Sequence, residues 1–150
     1  MQKDIQDLIA EDLLSIPPII LRALKKKLIK TTIPEIDTSL TPNHFEILKL
    51  LEDEGTLHVA ETGKRLQIAK AQMTQLIDKL VALKMVEKKL DTADRRFYKI
   101  SLTRKARRLL REHKTNITKA VKEIMSGLTD KDMENLSVSL RNLRDILSRD

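Results

Sequence analysis

Several groups of side chains in this 150-residue chain have types and spacings suited to contact with a polyanion. The first lies in residues 70–83. Met73, Leu76, Ile77 and Leu80 fall at the spacing of a buried helical stripe. The opposite face then presents Ala71, Thr74, Gln75 and Asp78, flanked by Lys70, Gln72 and Lys79. A Gln amide can bond the N6/N7 edge of adenine bidentately, and a Thr methyl can touch the methyl of thymine. Gln72, Thr74 and Gln75 are therefore candidates for reading base edges. Lys64, Arg65, Lys70 and Lys79 are candidates for phosphate contacts, which position a duplex without reading it. An ordinary solvated helix face has the same composition.

The second group is the polar loop Asp91-Thr92-Ala93-Asp94-Arg95-Arg96. An Arg at such a tip can enter a minor groove, where narrow A·T tracts deepen the negative potential. It can equally close an ion pair with Asp91 or Asp94. Arg95 is expected to face nucleic acid. Arg96 stands between the same role and a pair with Asp91. The third group, Arg104, Arg107, Arg108 and Arg111, forms one stripe opposite Ala106, Leu109 and Leu110. It either extends a phosphate-binding surface or is solvated. Lys25-Lys26-Lys27 and Lys30 present the same choice at the end of a helix.

Catalytic chemistry has little to work with. His44, His58 and His113 are the only histidines and no two stand at i, i+4; Cys is absent. Disulfides and thiolate metal sites are excluded. No Gly-rich phosphate loop and no nucleophile–base arrangement is visible. The chain is expected not to be an enzyme and to need no metal and no cofactor.

The elements that would carry these groups can be read in order. Residues 3–30 read as helix, with Ile5, Leu8, Ile9, Leu13 and Ile16 near one face. Pro17-Pro18 is expected to break or sharply kink it, because proline lacks the helical donor. Residues 31–39 read as loop. Thr41 and Pro42 open the next helix as cap and first residue, with Leu40 available to staple onto Phe45. Phe45, Leu48, Leu50 and Leu51 supply its apolar side and Gly55 ends it. Residues 57–59 form a short strand. A helix over residues 59–66, a turn at Ile68 and a helix over 70–83 make a helix-turn-helix, with Gly63 at the close approach. Residues 85–90 and 97–102 alternate as paired strands around the polar loop, forming a wing. Thr103 caps a helix to about residue 126, and Thr129 caps a last one. Its Met133, Leu136, Leu140, Leu143 and Leu147 form a coiled-coil-like seam, to be buried on the first helix or on a second subunit.

Charge follows this division. The chain carries +7 overall, but residues 56–111 hold 15 Lys/Arg against 5 Asp/Glu, net +10, leaving 14 against 17, net −3, elsewhere. Such segregation is the footprint of a phosphate-binding surface joined to a separate scaffold. Apolar residues make up 41% and aromatic residues only 2%, so aliphatic side chains must build the core. No apolar run approaches the ~20 residues that span a bilayer. The start, Met1-Gln2-Lys3-Asp4, lacks a signal-peptide pattern. The expected location is the cytoplasm, with no membrane partner.

From Leu40-Thr41-Pro42 through Leu76-Ile77-Asp78-Lys79-Leu80, Met85-Val86-Glu87-Lys88, Asp91, Asp94-Arg95-Arg96 and Ile100-Ser101-Leu102-Thr103, the chain resembles the MarR family of regulators. The resemblance implies a mainly α fold with a small β-hairpin, in which a winged helix-turn-helix lobe joins a helical dimerisation base. Residues 1–40 and 104–150 would form the base and residues 41–103 the lobe. It implies a homodimeric, sequence-specific regulator of transcription, most often a repressor, on double-stranded DNA with a pseudopalindromic operator. It also implies a pocket for a small-molecule effector. The alternative is a protein-interaction dimer of the same fold with weak or non-specific DNA binding. Four positions depart from the family pattern: Ala69 replaces a Ser-like cap, Gln67 and Lys84 replace glycines, and Ala93 replaces a wing-tip arginine.

Overall fold

The computed structural model describes residues 3–28 and 40–149. Its elements are α1 (Ile5–Leu28), α2 (Pro42–Glu54), β1 (Leu57–His58), α3 (Val59–Leu66), α4 (Lys70–Ala82), β2 (Val86–Leu90), β3 (Tyr98–Leu102), α5 (Arg104–Met125) and α6 (Asp130–Leu147). The expected mainly helical fold with a winged helix-turn-helix is what forms. The loop expected over 31–39, and Lys30, lie outside the described residues. The chain divides into two units, Thr32–Thr115 and the combination of Met1–Thr31 with Asn116–Asp150.

In the first unit α2 begins where Thr41 and Pro42 start it. The Thr41 N–H donates to His44 Nδ1 at 2.9 Å, so a histidine takes the place a Glu or Gln usually holds in a capping box. Gly55 ends the helix at φ +80°, a left-handed conformation that glycine adopts without strain, and its N–H donates to the Leu51 carbonyl. Ile47, Leu48 and Leu51 are fully buried, whereas Phe45 and Leu50 are only partly so. Ile47 was missing from the expected stripe. The three strands form an antiparallel sheet in the order β1-β3-β2. The wing register pairs Val86 with Leu102 and Leu90 with Tyr98, and Leu57 of β1 pairs with Ile100. Alternation then puts Val86, Ile100 and Leu102 on the core side, against Ile47, Ile77, Leu80 and Ala106.

α3 and α4 meet at Gly63. A methyl there would lie 2.9 Å from Met73 Cγ and 3.2 Å from the Ile68 carbonyl oxygen, so only glycine permits this approach. The connecting turn passes through Gln67 at φ 56°, and the turn after α4 passes through Lys84 at φ 59°. These are the two positions where the family resemblance expects glycine.

In the second unit α1 corrects an expectation: it runs unbroken for 24 residues through Pro17 and Pro18. Proline's fixed φ is itself helical, so the rings do not forbid the conformation. What they delete are the N–H donors for the Leu13 and Leu14 carbonyls. Both leucines are exposed, so water can serve those oxygens instead. α6 is capped as expected, with Thr129 Oγ1 accepting from the Asp132 N–H at 3.1 Å. No residue of α6 is buried. Its seam stays open, from Met133 at 39% exposed to Leu147 at 65%, and Ile5, Leu8, Ile9, Leu13 and Ile16 of α1 are open too.

Candidate nucleic-acid interface

α4 has the two faces its sequence foretells. Met73, Leu76, Ile77 and Leu80 are buried, while Lys70, Ala71, Gln72, Thr74, Gln75 and Asp78 are exposed. The Thr74 hydroxyl donates back to the Lys70 carbonyl at 3.1 Å, which leaves its methyl as the group available to a base. Ala69 is the N-cap and offers no side-chain bond, so the first amides of α4 lack the usual cap. Lys79 is only half exposed. It lies close enough to His44 that its charge, after burial, holds that imidazole below its ordinary range. His44 Nε2 is buried without a hydrogen-bond partner among the described residues.

The candidate phosphate cations separate into two kinds. Lys64 and Lys70 are exposed and make no ion pair among the described residues. Arg65 bridges α2 and α3: it reaches Glu61 at 2.7 Å and Glu54 at 3.3 Å. Those bonds, to Glu61 first, raise its pKa further.

The wing is anchored by Asp91, which sequence reading treated only as a possible partner of arginine. Asp91 is buried, and its Oδ2 lies 2.8 Å from His58 Nε2. Its Oδ1 accepts the Ala93 N–H at 2.9 Å, and Lys99 Nζ stands 3.7 Å away. The His58 bond and then the Ala93 amide hold this carboxyl down at about 2. His58 itself precedes α3 and packs its ring 5.4 Å from that of Phe97. One cluster thus joins β1, the start of α3 and the wing.

With Asp91 so occupied, Arg96 does not pair with it; this corrects the expectation. Arg96 instead forks onto Asp94, with Nε 3.0 Å from Oδ1 and a terminal nitrogen 2.8 Å from Oδ2. A separation of two residues closes this pair within the turn itself. The Arg96 bonds hold the Asp94 carboxyl below its ordinary range, and Asp94 raises the Arg96 guanidinium. Arg95 is exposed and makes no ion pair among the described residues. Ala93 contributes its backbone amide to the anchor and only a methyl to the tip.

Thr103 caps α5, accepting from the Ala106 N–H at 3.1 Å and donating to the Lys84 carbonyl at 2.7 Å. Lys105 Nζ donates to the Leu83 carbonyl at 3.1 Å. These bonds fasten the root of the wing to the far end of α4. Arg104, Arg107, Arg108 and Arg111 are exposed along α5. His113 stacks on Phe45 with ring centroids 5.4 Å apart. Among the described residues no group of three or more His, Asp or Glu side chains is placed to hold a metal ion, and no helix is long and apolar enough to cross a membrane.

Two signals in the sequence could have located the histidines. Thr41-x-x-His44 has capping-box spacing, and His58 immediately precedes a helix. The contact between His58 and Asp91, 33 residues apart, has no local signature.

Comparison with known proteins agrees with this geometry. The MarR family model matches residues 38–96. The uncharacterized HTH-type transcriptional regulator YsmB of Bacillus subtilis (strain 168) is 27% identical over 111 residues, 74% of this chain and 76% of its own. The structure of RV1404 from Mycobacterium tuberculosis superposes with a TM-score of 0.79 at 16% identity, covering 99% of this chain and 98% of that one. A MarR family protein from Bacillus stearothermophilus superposes with a TM-score of 0.73 at 21% identity, covering 98% and 100%. At such identities the structures speak for the fold alone. Through the winged helix-turn-helix at its centre, residues 38–96, this chain matches the MarR family model.

Proposed function

We propose that the chain regulates transcription as a homodimer bound to a pseudopalindromic operator, acting as a repressor. α4 enters the major groove, with Gln72, Thr74 and Gln75 against base edges and Lys64 and Lys70 on phosphates. The wing flanks it with Arg95 toward the minor groove, while Arg65, Lys79 and Arg96 act nearer the edge of the contact. The observation that carries this reading is the face of α4: one side wholly buried, the other polar and open, beside an anchored wing. Dimerisation buries the apolar residues that α1 and α6 leave open in the single chain, since exposed apolar surface of that extent marks an interaction site. Two lobes then meet half-sites one helical turn, ~10 bp, apart. A small-molecule effector acts by biasing the spacing of the lobes, because a spacing that fits only one half-site forfeits bivalent binding.

The test is binding of the purified protein to its own upstream DNA and to a scrambled duplex across a salt series. Specific regulation requires a preference of ~10³-fold or more at physiological salt. Equal, steeply salt-dependent binding would refute sequence specificity. Particular observations favour the second reading, an interaction dimer with weak DNA binding: α4 starts uncapped at Ala69, Ala93 stands where the family pattern has a wing-tip arginine, and Arg65 and Arg96 are neutralised by carboxylates. Robust dimerisation with no DNA binding at low salt would establish it.

A further inference from the structure

Residues 95–111 hold eight Lys/Arg and no Asp/Glu. Four of these cations, Arg104, Lys105, Arg108 and Arg111, line a groove of about 370 Å³ on α5. Among the described residues no carboxylate contributes to its wall. Elsewhere in the same unit, among the described residues, several exposed cations find acidic partners, unlike Lys64, Lys70 and Arg95: Lys49 has Glu52 and Asp53, Arg65 has Glu54 and Glu61, and Arg96 has Asp94. Arg104, Arg108 and Arg111 form no ion pair among the described residues.

The placement is electrostatically unfavourable for the protein alone. The first turn of α5 contains no acidic residue. Helix N-termini carry partial positive charge and favour anions. Here Arg104 and Lys105 sit at that end, with Arg108 one turn on. They repel one another and are repelled by the helix dipole. An external anion relieves both repulsions at once. Arginine forks match phosphate oxygens bidentately, and Arg104, Arg108 and Arg111 span ~10 Å of helix, the reach of a chain of several phosphates rather than one.

The groove is also distant from the base-reading face. Lys105 and Thr103 tie it to Leu83 and Lys84, at the C-terminal end of α4. Gln72 lies eleven residues earlier, ~16 Å along the helix. The root of the wing adjoins the groove, and the tip with Arg95 lies at the opposite end of β2 and β3.

We propose that Arg104, Arg108 and Arg111 form a second anion site that binds a run of phosphate groups, separate from the surface that reads bases. Such a run has two sources, a soluble polyphosphate-type molecule or a stretch of DNA backbone beyond the read bases. The variant Arg104→Gln/Arg108→Gln/Arg111→Gln removes the site while leaving Lys105, which bonds the backbone, in place. A control, Lys119→Gln/Lys122→Gln/Lys131→Gln, removes the same charge from exposed positions elsewhere. Thermal unfolding of both variants verifies that they fold.

The first arm titrates inorganic tripolyphosphate into the full-length protein by calorimetry without DNA, so it does not depend on the proposed function. Binding by the wild type and the control, weakened about tenfold per arginine in the groove variant, supports a soluble ligand. The second arm measures the salt dependence of duplex binding. A slope reduced by about 2–3 in the groove variant but not in the control supports the DNA backbone as the source. If the groove variant matches the control in both arms, the stripe is a solvated face and the proposal is overturned.

Discussion

Gln67 and Lys84 occupy left-handed backbone positions, at φ 56° and 59°, at the two ends of α4. A side chain other than glycine in that conformation costs roughly 1–2 kcal/mol. Changing Lys84 to Gly removes that strain but loosens the unfolded chain, which returns about 0.4–1 kcal/mol. The net expectation is stabilisation by about 0.5–1 kcal/mol. Nothing in the native contacts opposes it: the Lys84 side chain is exposed, and its backbone bonds use N–H to the Val81 carbonyl and C=O from Thr103 Oγ1, which glycine retains. The control is Lys84→Ala, which deletes the same side chain yet keeps the strain, and should leave stability nearly unchanged. Differential scanning calorimetry at one fixed protein concentration, since the midpoint of any self-associating protein depends on it, should place Lys84→Gly ~2–6 °C above Lys84→Ala. Gln67→Gly should behave alike, and the two should add because the turns share no hydrogen bond. If Gly and Ala variants melt together at both sites, the left-handed strain is not there and the reasoning fails.

Other changes test the remaining joints. Gly63→Ala drives a methyl against Met73 and the Ile68 carbonyl and should destabilise the winged unit by about 1–3 kcal/mol in urea unfolding; an unaltered midpoint would mean that the α3–α4 approach is looser than it stands here. Ala69→Ser supplies the missing cap and should add about 1 kcal/mol, with slowed amide exchange at Ala71 and Gln72 as its local signature. Asp91 has its pKa depressed from 3.8 to about 2, so its anchoring is complete above 3.8 and is lost as pH falls from there through 2; the Ala93 amide resonance should report a midpoint near 2, and a midpoint near 3.8 would break the anchor argument. Gln75→Ala should narrow the gap between operator and scrambled DNA, by about 1–3 kcal/mol if it forms a bidentate base contact, whereas Arg95→Ala should weaken both duplexes; unchanged affinity at moderate salt would remove Arg95 from the interface.

Periodic features were legible in the sequence, and contact geometry was not. Met73, Leu76, Ile77 and Leu80 announce the buried side of α4 because helical spacing alone fixes which residues share a face. Thr41, Thr103 and Thr129 announce helix starts through a local rule. Pro17-Pro18 misled because the rule that proline breaks helices concerns a missing donor, and α1 has carbonyls exposed enough to do without it. The partner of Arg96 was misjudged because Asp91 and Asp94 are both near in sequence, and only the turn decides between them. Asp91 was already engaged by His58, far away in the chain, so the contact that settled the choice lay outside any local window. The candidate base-reading residues were legible as an exposed face, but which cations remain available to a phosphate was not, since Glu54 and Glu61 become partners of Arg65 only after α2 and α3 pack.

That last distinction bears on how the molecule uses its charge. A net of +10 over residues 56–111 overstates the positive surface, because part of it is answered internally. Arg65 and Arg96 already hold carboxylates in close bonds and would have to exchange one partner for another to meet a phosphate. Such an exchange gains less than a first pairing, and it would loosen the α2–α3 bridge in one case and the wing turn in the other. Their stronger contribution is to shape: they hold the helix pair and the loop in the conformation from which Lys64, Lys70 and Arg95 project. Under the proposed function, cations without carboxylate partners do the binding, and they include Lys64, Lys70 and Arg95 on the α3–α4 surface and wing tip, and Arg104, Arg108 and Arg111 in the α5 groove. A fold selected only for one contiguous polyanion surface has no reason to leave three arginines unanswered at the root of the wing, at a helix end that repels them. The proposed second seat for negative charge, the α5 groove, is held by the Thr103–Lys84 and Lys105–Leu83 bonds against the C-terminal end of α4.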